Sequence, residues 1–367
     1  MRLYRMELYK LCHKKAFIIC SVLAALILLF YFWLMVDDQM STVKGVTYHG
    51  YEAVKIDRQI TETYRGGLTD AKVQKIVEEY GLPSRVEYGY GWWRDANYLN
   101  EYVVHYLSDG YIVDWNEYEA PTKAYAIADT ELGKLQQAMG KEIPFDYTMG
   151  WQVLFDVLQV GMMLASILVI LSISVVFAQE GQTGMLPLLF TAQKGKEADA
   201  KAKIAAAFTL TVIIYSVVVI ITLLLCACVF GLDGAICPLN LAMFDGPDRN
   251  NKFAYIPVAS FGWMAAGFYL LAMLLLCAIT MCVSAYCSSN FGAVTAAASL
   301  WAFPFLWRMM CGRLGYFLSS CMPIFLVMPY SIYETIAWGR TVPTVLTGVG
   351  LLAACVNDGY CIYKKRT

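Results

Sequence analysis

The sequence predicts an all-α polytopic membrane protein: six transmembrane helices, an interfacial helix ahead of the first, a re-entrant element before the last, and an α+β extracellular domain between helices 1 and 2. Three observations carry this. The 367 residues are 59% hydrophobic and only 16% charged, against about a quarter charged in a soluble domain. Six apolar runs approach the roughly 20 helical residues that cross a bilayer core. The Lys and Arg residues between those runs alternate in density, as the orientation rule for membrane helices demands.

In chain order, Met1 to Lys15 puts Tyr4, Leu8 and Leu11 on one face and most of Arg2, Lys10, Lys14 and Lys15 elsewhere, which suits a short helix lying in the interface or an ordinary positive flank. Ala16 to Val36 is the first span. It reads as an anchor and not a cleaved signal, because it is long and no small-x-small site follows before Asp37. Val153 to Phe177, Ile204 to Phe230, Pro257 to Cys287, Phe291 to Trp307 and Val342 to Tyr363 supply the rest, the last interrupted by Asn357 and Asp358. Counting short loops only, Lys and Arg favour the side of both chain ends by twelve to five, so both termini are expected in the cytoplasm. Gly315 to Tyr333 is nearly uncharged, but Pro323 and Pro329 oppose a straight helix and a seventh crossing would move Lys364, Lys365 and Arg366 outside. A re-entrant pair of short helices within 308 to 341 meets both constraints.

Residues 37 to 150 hold eleven Lys/Arg and nineteen Asp/Glu, a net charge of −8, and carry their own periodicity. Thr69 caps a predicted helix that ends near Gly81, Tyr98 to Leu107 predicts another, and Gly110 to Trp115 a short strand. The domain division is therefore 1 to 36, 37 to 150 and 151 to 367. Within the polar domain, Tyr88, Tyr90, Trp92 and Trp93 form an aromatic cluster that suits either a small core or an external ligand contact. Twelve cysteines avoid that domain altogether, so no secreted-type disulfide framework is expected. With three histidines, no metal centre is expected either.

No catalytic constellation stands out. Gly195-Lys196-Glu197 lacks the upstream glycine and the following hydroxyl of a phosphate loop, so the chain is expected not to be an enzyme and to hold no cofactor, and nucleic-acid binding has no support. Asp156 and Asp358 lie near run ends, where interface anchoring suits them. On the fifth run, Gly292, Thr295, Ala296 and Ser299 give small-residue spacing for close helix approach, within the chain or at a dimer seam.

The stretch 179 to 203 is the most informative. Glu180 closes one span, Gly184 follows four residues on, then Leu188-Leu189, Gly195-Lys196 and finally Lys203 opening the next span. Alone it reads equally as a solvated loop whose lysines set orientation. Its combined pattern resembles the first cytoplasmic loop of ABC-2 type transporter permeases, and Gly150-Trp151 leading into the second span resembles a bacterial branch of that family. The resemblance covers residues 1 to 36 and 147 to 367. It implies a permease subunit in a bacterial plasma membrane, with residues 1 to 15 as an elbow helix and the loop as a coupling helix on a separate ATPase that binds ATP and Mg. A second permease subunit, as homodimer or heterodimer, would complete the path for an exported peptide, drug, lipid or glycan. It further implies that Glu180 and Gly184 shape the coupling loop while Gln193, Lys194 and Lys196 lie near the ATPase; Pro187 departs from a continuous coupling helix. The alternative is a non-transporting immunity or sensor protein that binds an external peptide through residues 37 to 150.

Overall fold

The computed structural model describes residues 2–85, 93–94, 96–109, 111–114, 117–119, 121–182, 195–242, 255–319 and 322–365. It is a mostly helical membrane protein. Five of its helical segments are long and apolar enough to cross a bilayer: Lys15–Asp37, Met149–Glu180, Glu197–Val229, Val258–Tyr286 and Thr341–Lys365. Composition is not the only argument. Leu26 and Phe30 of the first segment and Ile220 and Leu224 of the third are each more than half exposed, an apolar surface that needs a hydrocarbon solvent. The fifth expected run forms a 30-residue helix, Asn290–Ser319, that runs through Pro304. Gly315 to Tyr333 is not one helix: its first residues end that element, and a short helix begins at Pro329, whose missing N–H costs nothing at a first turn.

Contacts divide the chain into two compact units. The first comprises Met1–Leu29, Phe155–Leu223 and Gly262–Thr367. Its helices are α1 (Arg2–Cys12), most of α2 (Lys15–Asp37) and of α7 (Met149–Ile173), α8 (Val175–Gln182), most of α9 (Gly195–Val229) and of α10 (Val258–Tyr286), α11 (Asn290–Ser319), α12 (Pro329–Ala337) and α13 (Thr341–Lys365). Small residues set the approach of these helices. A Cβ on Gly161 of α7 would meet Val218 Cγ1 of α9 at 2.7 Å, and one on Gly359 of α13 would meet the Cys282 backbone of α10 at 3.2 Å. The second span is broken at Ser174, between α7 and α8. Ser172 Oγ donates back to the Leu168 carbonyl at 2.7 Å, a bond that bends helices. The Phe177 and Ala178 N–H groups both donate to Ser284 Oγ of α10, at 3.0 and 3.1 Å, so the break leaves these two donors satisfied in an apolar surrounding.

The second unit comprises Phe30–Leu154 and Leu224–Phe261. Its polar part is α+β. A hairpin of β1 (Met40–Val43) and β2 (Val46–His49) turns at Lys44-Gly45, where both residues take positive φ (52° and 80°) as a tight two-residue turn requires. Helices α3 (Tyr51–Tyr64), α4 (Asp70–Tyr80), α5 (Tyr98–Leu107) and α6 (Glu131–Met139) follow, with two-residue pairings of β3 (Gly66–Gly67) on β8 (Pro144–Phe145) and β4 (Ser84–Arg85) on β5 (Trp93–Arg94), and the pair β6 (Tyr111–Asp114) and β7 (Glu117–Glu119). Helix α4 starts where Thr69 caps the Lys72 N–H, and α5 matches its predicted span, fixed by a reciprocal cap between Asn97 and Asn100. Val54, Leu68, Val73, Ile76, Leu99, Val103, Ile143 and Phe145 fill its core. The connection after the third span belongs to this unit as well: Trp151 Nε1 donates to the Asp233 carbonyl at 2.8 Å, Thr148 Oγ1 to Leu241 O at 2.9 Å, and Tyr106 to Asn240 O.

Candidate functional site

The first unit contains a buried lysine surrounded by acids. Helix α1 is amphipathic, and its inward face holds Tyr4, Glu7, Leu8 and Leu11 at helical spacing. Tyr4 donates to Thr209 Oγ1 at 3.0 Å and Leu11 is buried, which lays the helix against α9. The same face brings Glu7 inward. At the start of α9, Asp199 and Lys203 stand one turn apart, both buried, and Lys203 is only 1% exposed.

Lys203 Nζ lies 2.6 Å from Glu180 Oε1 of α8, 3.1 Å from Asp199 Oδ1 and 3.2 Å from Glu7 Oε2. An ammonium has three donors, and these three oxygens use them. Tyr363 of α13, itself fully buried, places its hydroxyl 2.5 Å from Glu180 Oε2 and 2.7 Å from Asp199 Oδ2. Its ring packs on Phe177 with centroids 4.6 Å apart, one helical turn before Glu180. The second Glu7 oxygen accepts from Lys10 at 2.5 Å. Burial pushes the Glu7 carboxyl up, but Lys10 and Lys203 outweigh it and hold the group below its usual range. Burial pulls Lys14 down to about 8, and its ammonium donates to Gln179 Oε1 at 3.0 Å.

The ligating oxygens of Glu7, Glu180 and Asp199 lie within 4.8 Å of one another, a spacing a hard cation could use. Lys203 takes the cation's place, so the set is an internal ion cluster and not a metal centre. Its chemistry is mechanical: a desolvated charge network held this tightly is costly to break on one side. It joins α1, α8, α9 and α13 at one point. Because Glu180 precedes residues 183 to 194 and Asp199 and Lys203 follow them, the cluster pins both ends of that segment.

The second unit holds its own buried acid. Asp57 of α3 is 9% exposed, and its Oδ1 accepts from Ser41 Oγ at 2.6 Å and from the Tyr98 N–H at 3.3 Å. Burial pushes the Asp57 carboxyl up to about 7 despite those bonds, and burial with the nearby Asp57 charge pushes Glu101 to about 8. Beside it, Lys55, Arg58, Glu62, Arg65, Asp146 and Asp233 line part of a cleft of about 350 Å³. Its charges are largely spent on one another, Arg58 on Asp233 at 2.9 Å and Arg65 on Asp146 at 2.8 Å.

No family model matches the chain, and neither a curated protein nor a solved structure matches it.

Of the residues given a site role from sequence, the structure brings Glu180 into the cluster, together with Lys203, which the sequence marked only as the opening of the third span. Gly184, Gln193, Lys194 and the aromatic residues Tyr88, Tyr90 and Trp92 lie outside the described residues. Lys196 is in the first turn of α9 and Trp93 in β5, with only their backbones described. Glu7, Asp199, Lys203 and Tyr363 were not anticipated as a group. The signal for two of them was present, since Asp199 and Lys203 are an acid and a base one turn apart at the edge of an apolar run. The reading of this stretch as a solvated loop whose lysines set orientation fails at Lys203, which the structure buries. Asp358 accepts from Tyr286 at 2.7 Å on the exposed side of α13.

Proposed function

We propose that the chain is the permease subunit of an ABC-2 type exporter, working with a separate ATP- and Mg-binding ATPase and a second permease copy or homologue. The observation that carries it is the buried cluster on Lys203. An amphipathic helix before the first span and a polar segment between the second and third are tied by it into one joint, which is what a machine needs to pass force from a soluble partner to its membrane helices. A simple anchor has no use for such a joint. In this reading α11 is the fifth of six spans, 308 to 341 contains the outer re-entrant element, residues 37 to 150 form the extracellular domain, and both termini lie in the cytoplasm of a bacterial cell. The substrate is a peptide, drug, lipid or glycan.

The test is copurification from the native membrane with a tag on this chain. An ATP-hydrolysing subunit should accompany it, and Lys194→Glu with Lys196→Glu should weaken that association in a salt-dependent way, because exposed charges are screened within about 8 Å at physiological ionic strength. Absence of any ATPase, with the chain intact, favours the immunity or sensor reading. A single cysteine at Ser108 should react with an impermeant maleimide in whole cells; protection there overturns the orientation.

A further inference from the structure

We propose that the cleft beside α3 is a headgroup site for a phospholipid that carries both a phosphate and a primary amine. The cleft lies within the second unit, and α3 sets its depth. A Cβ on Gly50, just ahead of that helix, would stand 3.9 Å from the carbonyl of Val36 near the end of the first span, and the Gly50 N–H donates to the Gln39 carbonyl at 2.8 Å. Arg58 pairs with Asp233 at 2.9 Å, four residues beyond the end of α9. Arg65 pairs with Asp146 at 2.8 Å, three residues before α7 begins. One helix is thus tied at three points to the ends of three spans, so it lies across them in the headgroup layer.

The periodicity of α3 gives it two faces. Ala53, Val54, Asp57, Thr61 and Tyr64 are buried in the core of the unit, which leaves Tyr51, Lys55, Arg58, Gln59 and Glu62 on the cleft. Its floor is fixed by the Arg58 and Arg65 pairs, and Gly231 passes close beneath Arg58 with φ of 77°, a conformation that any side chain would strain. Lys55 and Glu62 are left over. Both are exposed, and among the described residues neither has a partner. They stand two turns apart, about 10 Å along the axis, and their flexible side chains can reach the two ends of a phosphoethanolamine group, the ammonium on its phosphate and the carboxylate on its amine. A phosphate without an amine would set Glu62 against a second negative charge. Val229 says which zwitterion fits. It is the last residue of α9 and lines the cleft, while Leu224 and Cys228 just before it are exposed, as are Phe30 and Trp33 of the first span. A polar cleft of about 350 Å³ therefore meets an apolar strip that faces hydrocarbon, the surface an amphiphile covers with its headgroup and its chains. A soluble peptide would leave the strip unused. The inference rests on the spans and stands whether or not the chain is a permease.

Native mass spectrometry of the purified full-length chain in detergent tests it, with dioleoyl phosphatidylethanolamine as the probe. Lys55→Glu should weaken retention of that lipid about tenfold, the weight of one hydrogen-bonded charge. Glu62→Gln should erase the preference for phosphatidylethanolamine over phosphatidylglycerol, which offers the phosphate without the amine. Both side chains are exposed, so the variants should melt within a few degrees of wild type; where Lys55→Glu disturbs the neighbouring Arg58 pair, Lys55→Gln replaces it. Retention and preference unchanged in these variants overturn the proposal. Soluble glycerophosphoethanolamine should compete weakly, because it lacks the chains, and competition equal to that of the lipid would assign the cleft to a free phosphate ester. Displacement of the lipid by triglycine, a zwitterion with neither phosphate nor chains, would overturn the lipid and make the cleft a peptide site.

Discussion

The two units of the molecule each bury an acid, and they keep it by different means. In the polar unit Asp57 is met by a hydroxyl and a backbone N–H, with no cation in contact among the described residues, so burial raises its pKa to about 7 and the proton itself supplies neutrality. In the membrane unit the acids around Lys203 are met by a full charge on a buried stem. A hydroxyl and an amide are enough where a proton from water can finish the work. Where four helices must be held to one point, an ammonium reaches three partners at once.

Removing the ammonium breaks the comparison most forcefully. Lys203→Met should cost about 3–5 kcal/mol, since it leaves carboxylates facing each other in a buried site. The measurement is thermal unfolding of the purified chain in detergent, and an unchanged midpoint would mean that the cluster does not hold the joint. Raising the pH should loosen the polar unit more than the membrane unit. Asp57 has a folded pKa of about 7 against 3.8 unperturbed, so its contribution is fully present below about pH 4 and is lost as pH rises through 7, with Glu101 extending the loss toward 8. Between about pH 5 and 8.5 the protection of α3 and α5 amides against hydrogen exchange should fall by on the order of 2–3 kcal/mol, while that of α9 should change less. Asp57→Asn sharpens the point. An amide keeps the shape without the ionisation, so stability at low pH should change by about 1 kcal/mol or less and the pH dependence should flatten; a slope equal to wild type would assign the effect to other groups. The smallest effect belongs to a neutral version of the same problem. Ser284→Ala removes the acceptor for the Phe177 and Ala178 N–H groups and should cost about 1 kcal/mol, read as a small drop in the detergent melting midpoint.

Much of the fold was legible because its signals are local. Twenty-odd apolar residues in a row mean a spanning helix wherever they occur, and Thr69 and Asn97 announce helix starts through hydrogen bonds to residues two or three positions away. The break at Ser174 was not, because it depends on a serine 110 positions later that can accept its orphaned donors. Nor did sequence assign the connection after the third span to the polar unit; that follows from bonds such as Trp151 to Asp233, across 82 positions.

By itself the sequence determined that this chain lives in a membrane, where five helices long and apolar enough to cross it run, that an acidic folded region separates the first two, and that Glu180 and Lys203 bracket a polar segment. Those conclusions need only hydropathy, charge and short-range spacing. Only the tertiary structure decided that Lys203 is buried and not solvated, and that Glu7, Glu180, Asp199 and Tyr363 converge on it from four helices. The physical reason is range: a hydrophobic run or a helix cap is satisfied within one turn, whereas a buried charge is satisfied only by groups that the packing of distant helices delivers to it.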